Sequence, residues 1–286
     1  MKLIAIDLDG TLLTSKSKPS KEGLDAIKAT ISKRHKVAIC TGRAYFDVKG
    51  LIDADLNMNI PIISSNGAAV NDENGQLLRQ TPLTQEAAAA AIQYLSEQDV
   101  YFEIFCPEAI YSPFDGEDKL QAEIDMLISA NPDMDRDTLW KSALIQFQQF
   151  GIKPINDPME VIQAGMPVYK LLIFTYDEHK LERIREHYHH NTSVHTTAAA
   201  QLTLEIIAKE TDKGKALSYL ADHYGIPLSD TIVIGDNYND VSMFRVAGTK
   251  IAMGNAVDEI KQLCTQVTLT NNEHGVAHAL IHLLEL

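Results

Sequence analysis

The segment Asp7-Leu8-Asp9-Gly10-Thr11 follows directly on the apolar run Leu3-Ile4-Ala5-Ile6, and no other stretch constrains this chain as strongly. The run reads as a short buried strand, and Gly10-Thr11 turns the chain sharply at its end. In open parallel sheets, ligands bind at the carboxyl ends of the strands. Two carboxylates one residue apart at such a point repel each other unless a cation lies between them. A hard divalent ion suits oxygen ligands and would relieve that repulsion. One carboxylate can then attack an electrophile while the other moves a proton. Taken alone, the pentapeptide also fits a solvated acidic turn.

The 286 residues are enough for one large domain or two ordinary ones, and a composition 45% hydrophobic and 22% charged is that of a globular protein with ample core. A net charge of −14 argues against nucleic acid or an anionic membrane as partner. It leaves an anionic small molecule open, because a bound cation and a few donors reverse the field inside a cleft. Cys40, Cys106 and Cys264 are few, odd in number and widely spaced, which suggests small buried residues in a reducing compartment rather than a disulfide framework. Met1-Lys2 leads straight into the first strand, without a signal-peptide pattern, and no apolar run approaches a membrane span. The expectation is a soluble, cytoplasmic protein.

Strand and helix signals alternate at both ends of the chain. Leu3 to Ile6, Val37 to Cys40 and Pro61 to Ser64 read as strands. Between them lie helical stripes: Leu24, Ile27 and Ile31, opened by Pro19-Ser20, then Val48, Leu51 and Ile52. Asn74-Gly75, between Ala69-Val70 and Leu77-Leu78, signals a hairpin. Late in the chain, Thr231 to Ile234, Lys250 to Met253 and Val267 to Leu269 are the strands. Helices are expected around Ala216 to Ala221, Val241 to Ala247, Val257 to Ile260 and Val276 to Leu284. Repeated strand–helix units imply an α/β fold with a Rossmann-like parallel sheet covered on both faces.

The middle differs. Helical stretches (Gln85 to Leu95, Lys119 to Ser129, His179 to His187) mix with strand-like runs at Val100 to Phe105, Tyr169 to Phe174 and Leu202 to Ile207. Asn131 to Asp133 and Ile155 to Pro158 read as loops. The expected organisation is a core of 1–83 plus 209–286 and an inserted α+β domain of 84–208. Tyr101, Phe102, Phe105 and Tyr111 suit the insert's own core. His187, His189, His190 and His195 lack zinc-site spacing and suit surface or packing positions.

Four groups fall just after predicted strands or at helix starts. Asp7 and Asp9 are the first. Thr41-Gly42-Arg43 is the second, a hydroxyl and a flexible backbone donor suited to phosphate oxygens, or simply to a helix cap. Lys213 is the third; at a helix start it can neutralise a phosphate or restrain a nucleophilic carboxylate, although most lysines are solvated. The fourth is Gly235-Asp236-Asn237-Tyr238-Asn239-Asp240, which offers a further carboxylate from Asp236, with Asn239 and Asp240 one turn along, or equally a capped helix start.

In this order the four groups resemble the haloacid dehalogenase-like superfamily, and more narrowly its Cof-type sugar-phosphatase branch, over essentially the whole chain. The size of the insert, Ser65-Asn66-Gly67-Ala68 and Ala252-Met253-Gly254-Asn255-Ala256 fit that branch. The resemblance implies that Asp7 is a nucleophile forming an aspartyl-phosphate, and that Asp9 protonates the leaving alcohol and then activates water. It implies that Leu8, Thr41, Gly42, Lys213 and Asn239 hold the phosphoryl group. Asn239 binds phosphate or orients Lys213, while Arg43, Asn66 and Gly67 lie near the substrate. It implies Mg²⁺ held by Asp7, the Asp9 carbonyl and Asp236, with Asp240 as direct or indirect helper, and an insert that acts as a substrate-selecting cap. The expected function is phosphatase action on small phosphorylated metabolites, sugar phosphates above all, with pyridoxal phosphate or flavin mononucleotide as further options. The rival readings are a phosphomutase of the phosphomannomutase type and a non-catalytic binding protein. One departure from the family pattern is the lack of a proline ahead of Lys213, where the chain runs from Glu205 to Asp212.

Overall fold

The computed structural model describes residues 1–52, 54, 58–147, 149–197 and 202–285. In chain order the first strands are β1 (Leu3–Ile6), β2 (Lys36–Cys40), β3 (Ile62–Ser64), β4 (Ala69–Asn71) and β5 (Leu77–Gln80). Then come β6 (Tyr101–Phe105), β7 (Ile110–Pro113), β8 (Ile152–Ile155), β9 (Lys170–Phe174), β10 (Val194–Thr197) and β11 (Thr203–Ala208). The last are β12 (Thr231–Gly235), β13 (Thr249–Ala252) and β14 (Gln266–Val267). The early helices are α1 (Lys21–Ser32), α2 (Tyr45–Leu51), α3 (Gln85–Glu97), α4 (Gly116–Ala130), α5 (Arg136–Phe147) and α6 (Glu160–Gln163). They are followed by α7 (Glu178–Tyr188), α8 (Lys213–His223), α9 (Val241–Val246), α10 (Asp258–Leu263) and α11 (Gly275–Leu284). The chain forms two compact units, one of Met1–Gln80 with Thr211–Leu286 and one of Thr81–Glu210.

The first unit holds a sheet in the order β14-β13-β12-β1-β2-β3-β4-β5. It is parallel from β14 to β3, and the Asn74-Gly75 hairpin adds β4 and β5 antiparallel at one edge. Alternation within each strand fills both faces. Ile4, Ile6, Val37, Ile39, Ile62, Ile232 and Ile234 pack on one face against Ala26, Ile27, Val48, Val276 and Leu280 of the helices. Leu3, Ala5, Ala38, Cys40, Ile63 and Val233 pack on the other against Leu217, Leu220, Met243, Phe244 and Ile260. Each such aliphatic side chain contributes about 1.5–3 kcal/mol on burial. Ser20 accepts from the Gly23 amide and caps α1, as its place before the helical stripe predicts. The chain leaves β1 toward β2 on one side and reaches β12 on the other, so the sheet's order switches at β1. That switch leaves a crevice beyond the ends of β1 and β12.

The sheet of the second unit runs β10-β11-β9-β6-β7-β8 and is antiparallel except for the β7–β8 pair. Its apolar face carries Phe102, Ile104, Leu171, Ile173, Leu204 and Ile206, packed on Ala88, Ile92 and Leu95 of α3 and on Leu181 and Ile184 of α7. Tyr101, Phe102 and Phe105 are buried, in keeping with a core role, and Tyr111 is partly buried against the same cluster. The opposite face carries charge: Lys170 pairs with Glu205 and lies 4.1 Å from the centre of the Phe105 ring. On that face Glu103 accepts from Tyr101 Oη at 2.8 Å and from Gln149 Nε2 at 2.8 and 2.9 Å.

The structure corrects several local expectations. Strands β7, β8 and β10 and helix α5 gave no readable pattern, and Ile155, assigned to a loop, ends β8. Pro154 argues against a strand by rule, yet β8 is an edge strand, where a missing amide is tolerated. The expected strand Val267 to Leu269 is reduced to the exposed pair Gln266–Val267. Cys40 and Cys106 are buried but Cys264 is only partly so. His187, His189 and His190 are exposed, and His187 stacks on Tyr94 with centroids 3.8 Å apart. No helix among the described residues is long and apolar enough to cross a membrane.

Burial pushes the Glu103 carboxyl up to about 7, against the opposing hydrogen bonds from Tyr101 and Gln149. A carboxyl raised in this way binds its proton more tightly folded than unfolded. Its stabilisation is whole below the ordinary value of 4.5 and is lost as pH rises through about 7. Relative to Glu103→Gln, the native protein should therefore lose on the order of 3 kcal/mol between about pH 5 and pH 8. Urea denaturation of both proteins at the two pH values measures this. Parallel pH profiles would show that Glu103 is not held protonated by burial.

Candidate active site

Strands β1, β2 and β12 end side by side, and the chemistry-bearing residues follow those ends. Asp7 is the first residue after β1, and its amide donates to the Ile234 carbonyl at 3.0 Å. The chain then makes one wide turn, with the Leu12 amide bonded to the Asp7 carbonyl at 3.2 Å and the Leu13 amide to that of Leu8 at 2.9 Å. Gly10 takes φ +77° inside the turn, and a Cβ there would lie 2.5 Å from Asp236 Oδ2, so only glycine fits. Thr11 Oγ1 donates to Asp236 Oδ1 at 2.8 Å. Asn255 Nδ2 holds the Gly10 carbonyl at 2.9 Å.

Lys213 is the first residue of α8, behind the cap that Asp212 supplies by accepting from the Lys215 amide at 2.7 Å. Contrary to the usual solvated lysine, its side chain is fully buried. Its Nζ donates to Asp7 Oδ1 and to Asp240 Oδ1, each at 2.6 Å. The other oxygen of Asp240 accepts the amides of Asp236 at 3.0 Å and Asn237 at 3.1 Å. Carboxylate oxygens of Asp7, Asp236 and Asp240 all lie within 4.8 Å of one another. With all three ionised, the carboxylates of buried Asp7 and Asp240 and half-buried Asp236 carry two more negative charges than the one ammonium balances.

Burial first, and that surplus second, raise the proton affinities. Burial and the nearby Asp240 carboxylate hold the Asp7 carboxyl well above its usual range, and Lys213 offsets this only in part. Asp236 is pushed up to about 6, chiefly by burial, with Thr11 opposing. Burial pulls the Lys213 ammonium down, but Asp240 and Asp7 outweigh it and the group stays charged. The all-oxygen donor set suits a hard cation, and a divalent ion carries the matching charge. Asp240 already spends both oxygens, so Asp7 and Asp236 are the carboxylates best able to reach a metal.

Thr41 is buried directly after β2, and its hydroxyl accepts the Arg43 amide at 3.2 Å. Its carbonyl accepts the Asn66 amide at 3.0 Å. Ser65, Asn66 and Gly67 take φ +48°, +57° and +98°, a left-handed run in which backbone strain is stored. Gly67 is required by that run and by its approach to the Asp212 carbonyl, which a Cβ would overlap. Gly42 lies against the Asn66 side chain, where a Cβ would meet Oδ1 at 3.1 Å.

Several expected roles change. The Leu8 side chain is part of the core, so only its main chain could serve a phosphoryl group. The Asp9 carboxylate lies outside the Asp7, Asp236 and Asp240 group and is bonded to Arg43. Asn239 does not orient Lys213, a task Asp7 and Asp240 perform; its Nδ2 donates to Asn66 Oδ1 at 3.3 Å. Asn239 Oδ1 is buried without a hydrogen-bond partner among the described residues. The sequence gives Thr11 only a turn and Asn255 only a place in a family-like segment, and gives no role to Asp212 or to Ser242, whose hydroxyl accepts the Gly214 amide at 3.0 Å. Only Asp212 carried a local signal, as an acidic residue just ahead of a helix.

A sequence profile described as haloacid dehalogenase-like hydrolase matches residues 4–280, and the chain belongs to that family. Over 284 residues it is 47% identical to the 5-amino-6-(5-phospho-D-ribitylamino)uracil phosphatase YwtE of Bacillus subtilis (strain 168), covering 99% of this chain and 98% of that one. It is 39% identical over 286 residues to phosphatase YwpJ of the same organism, covering 99% and 100%. A solved haloacid dehalogenase-like hydrolase from B. subtilis has a TM-score of 0.86 at 38% identity, covering 99% and 100% of the two chains. The chain is a phosphoric monoester hydrolase of this family.

Two stability tests follow from the packing around Lys213. Lys213→Ala should cost about 3–5 kcal/mol by leaving buried carboxylates without their cation. Adding Asp240→Asn should cost less than the sum of the single changes by at least about 1 kcal/mol. Strict additivity in a urea-melt cycle would contradict the coupling. Gly67→Ala should destabilise by about 2 kcal/mol or more, through both overlap and φ. Gly50→Ala, on α2 with nothing within 4 Å, should stabilise by about 0.5–1 kcal/mol.

Proposed function

We propose that this protein is a Mg²⁺-dependent phosphatase that hydrolyses small phosphorylated metabolites through an aspartyl-phosphate on Asp7. The observation that carries the reading is the buried group of Asp7, Lys213, Asp240 and Asp236 at the sheet's switch point, with its two surplus negative charges. Asp7 and Asp236 would hold the ion, with the Asp9 carbonyl beside them and Asp240 behind. When bound, the ion supplies positive charge that draws in a phosphoryl oxygen and balances Asp7 and Asp236.

The protein's own groups do the rest. Asp7 attacks phosphorus, and the bond from phosphorus to the leaving oxygen breaks as Asp9 gives that oxygen its proton. Asp9 then takes a proton from the water that hydrolyses the intermediate. Lys213 fixes the attacking carboxylate and neutralises charge. Thr41, with the amides of Gly42 and Leu8, receives the equatorial oxygens, and Asn239 and Asn66 line their approach. Substrate selection is assigned to the inserted unit, residues 84–208.

Two relatives, at 47% and 28% identity, are named 5-amino-6-(5-phospho-D-ribitylamino)uracil phosphatases. Their phosphorylated ribityl chain is a polyol phosphate, chemically close to the sugar phosphates the sequence suggests. It is the first substrate to test, beside hexose phosphates, pyridoxal phosphate and flavin mononucleotide. Free phosphate should accumulate with Mg²⁺ and cease with chelator. Accumulation of an isomerised sugar phosphate would favour the mutase instead. Asp7→Asn should lower turnover by about four orders of magnitude or more while the protein stays folded. Substantial metal-dependent turnover by that variant, with deamidation excluded, would refute the nucleophile.

A further inference from the structure

Arg43 ties the loop after β2 to the loop after β1. Its Nε donates to Asp9 Oδ2 at 2.8 Å and its Nη2 to Asp9 Oδ1 at 2.7 Å. The guanidinium fork therefore takes both oxygens of one carboxylate, the geometry that restrains orientation most strongly. Its Nη1 donates to Asp47 Oδ2 at 3.1 Å, a turn further along on α2. The backbone is fixed as well: the Arg43 amide bonds Thr41 Oγ1 at 3.2 Å, and its carbonyl accepts the Ser65 amide at 2.8 Å. Asp9 itself is open, its side chain 56% exposed. Among the described residues, Arg43 is the side chain that holds it.

An ordinary exposed ion pair adds little stability and performs no task. This one joins the hydroxyl-bearing loop to the carboxylate on which proton transfer depends, and its cation has a second anchor. We infer that Arg43 is a positioning residue for the second half of the reaction, holding the Asp9 carboxylate aligned on the attacking water. The inference rests on the phosphatase reading given above.

In that half-reaction the water oxygen bonds to phosphorus and the bond between phosphorus and the Asp7 oxygen breaks. The water's proton passes to Asp9, and inorganic phosphate leaves. Asp7 regains its carboxylate, and Asp9 becomes the acid that the next leaving alcohol needs. A carboxylic acid has one oxygen bearing hydrogen, so the two-point grip on Asp9 must loosen to one when it protonates. The bond to Asp47 keeps Arg43 in place through that exchange.

Arg43→Gln and Arg43→Lys, assayed with p-nitrophenyl phosphate in rapid mixing, test this. Nitrophenolate departs without a proton, so formation of the aspartyl-phosphate does not need Asp9 as acid. In Arg43→Gln the burst of nitrophenolate should persist while steady-state turnover falls at least tenfold. Arg43→Lys, which cannot offer a fork, should show the same split more weakly. Millimolar guanidinium ion should restore part of the steady-state rate of Arg43→Gln. Equal loss of burst and steady-state rates in both variants, or no change in either, would overturn the inference. If the native protein released no phosphate from any phosphomonoester, the phosphatase reading would fall and the inference with it, an outcome distinct from an active enzyme indifferent to residue 43.

Discussion

The ammonium of Lys213 between Asp7 and Asp240 is the contact on which the rest of the site depends. It joins residues 206 and 27 positions away in sequence. An ammonium alone at this depth would lose its proton or pull in water. The two carboxylates prevent that, and they place Lys213 at the start of α8, where Asp212 has already ordered the first turn. Asp240 passes the restraint on through its second oxygen, which gathers the amides of Asp236 and Asn237. The main chain at Asp236 is thus held by the carboxylate that shares the ion pair with Asp7, while Thr11 holds its side chain.

Such a site weakens the fold that carries it. Surplus buried charge, a run of three left-handed residues at Ser65–Gly67 and buried hydroxyls of Ser64 and Ser65 without partners among the described residues all oppose folding. They are confined to one end of the sheet. Beneath them the strands are aliphatic on both faces, and Ile4, Ile6, Ile39, Val233 and Ile234 are fully enclosed. The sheet's own bonds also fix the spacing of the loops. Register pairs Ile6 with both Ile234 and Ile39, so Asp7, Cys40 and Gly235 emerge at one level. Local strain persists here because that surrounding structure over-determines it.

This division explains what the sequence made legible. Strands β1, β2 and β12 are continuous apolar runs ending at glycine, threonine or aspartate, and both signals are local. The residues so marked (Asp7, Thr41 and Asp236) follow the ends of these strands, and Lys213 opens α8. Contacts closed by tertiary structure are legible only in part, as in the single carboxylate that a lysine at this helix start could restrain. Nothing near Lys213 in sequence announces two carboxylate partners, and Asn255 meets the Gly10 carbonyl only because two distant loops converge. In the second unit, β8 carries a proline and α5 lacks an apolar stripe, so each depends on neighbours rather than on its own pattern. Glu103, set between Phe102 and Ile104 in a strand that otherwise reads as core, carries no signal of its own in sequence, because only alternation sends it to the face opposite Phe102.

The charge of the whole chain bears on what the site must do for itself. A protein with net charge −14 offers a phosphate monoester no long-range attraction. At physiological ionic strength that unfavourable field is screened beyond about 8 Å, so capture depends on groups closer than that. Within that distance the carboxylates of Asp7, Asp236 and Asp240, when ionised, outnumber the single ammonium of Lys213. Lys213 cannot reverse that balance alone, because its charge is already shared by two carboxylates. The Arg43 guanidinium is committed to Asp9 and Asp47 in the same way. An anion entering here therefore finds the charges of both Lys213 and Arg43 already paired with carboxylates.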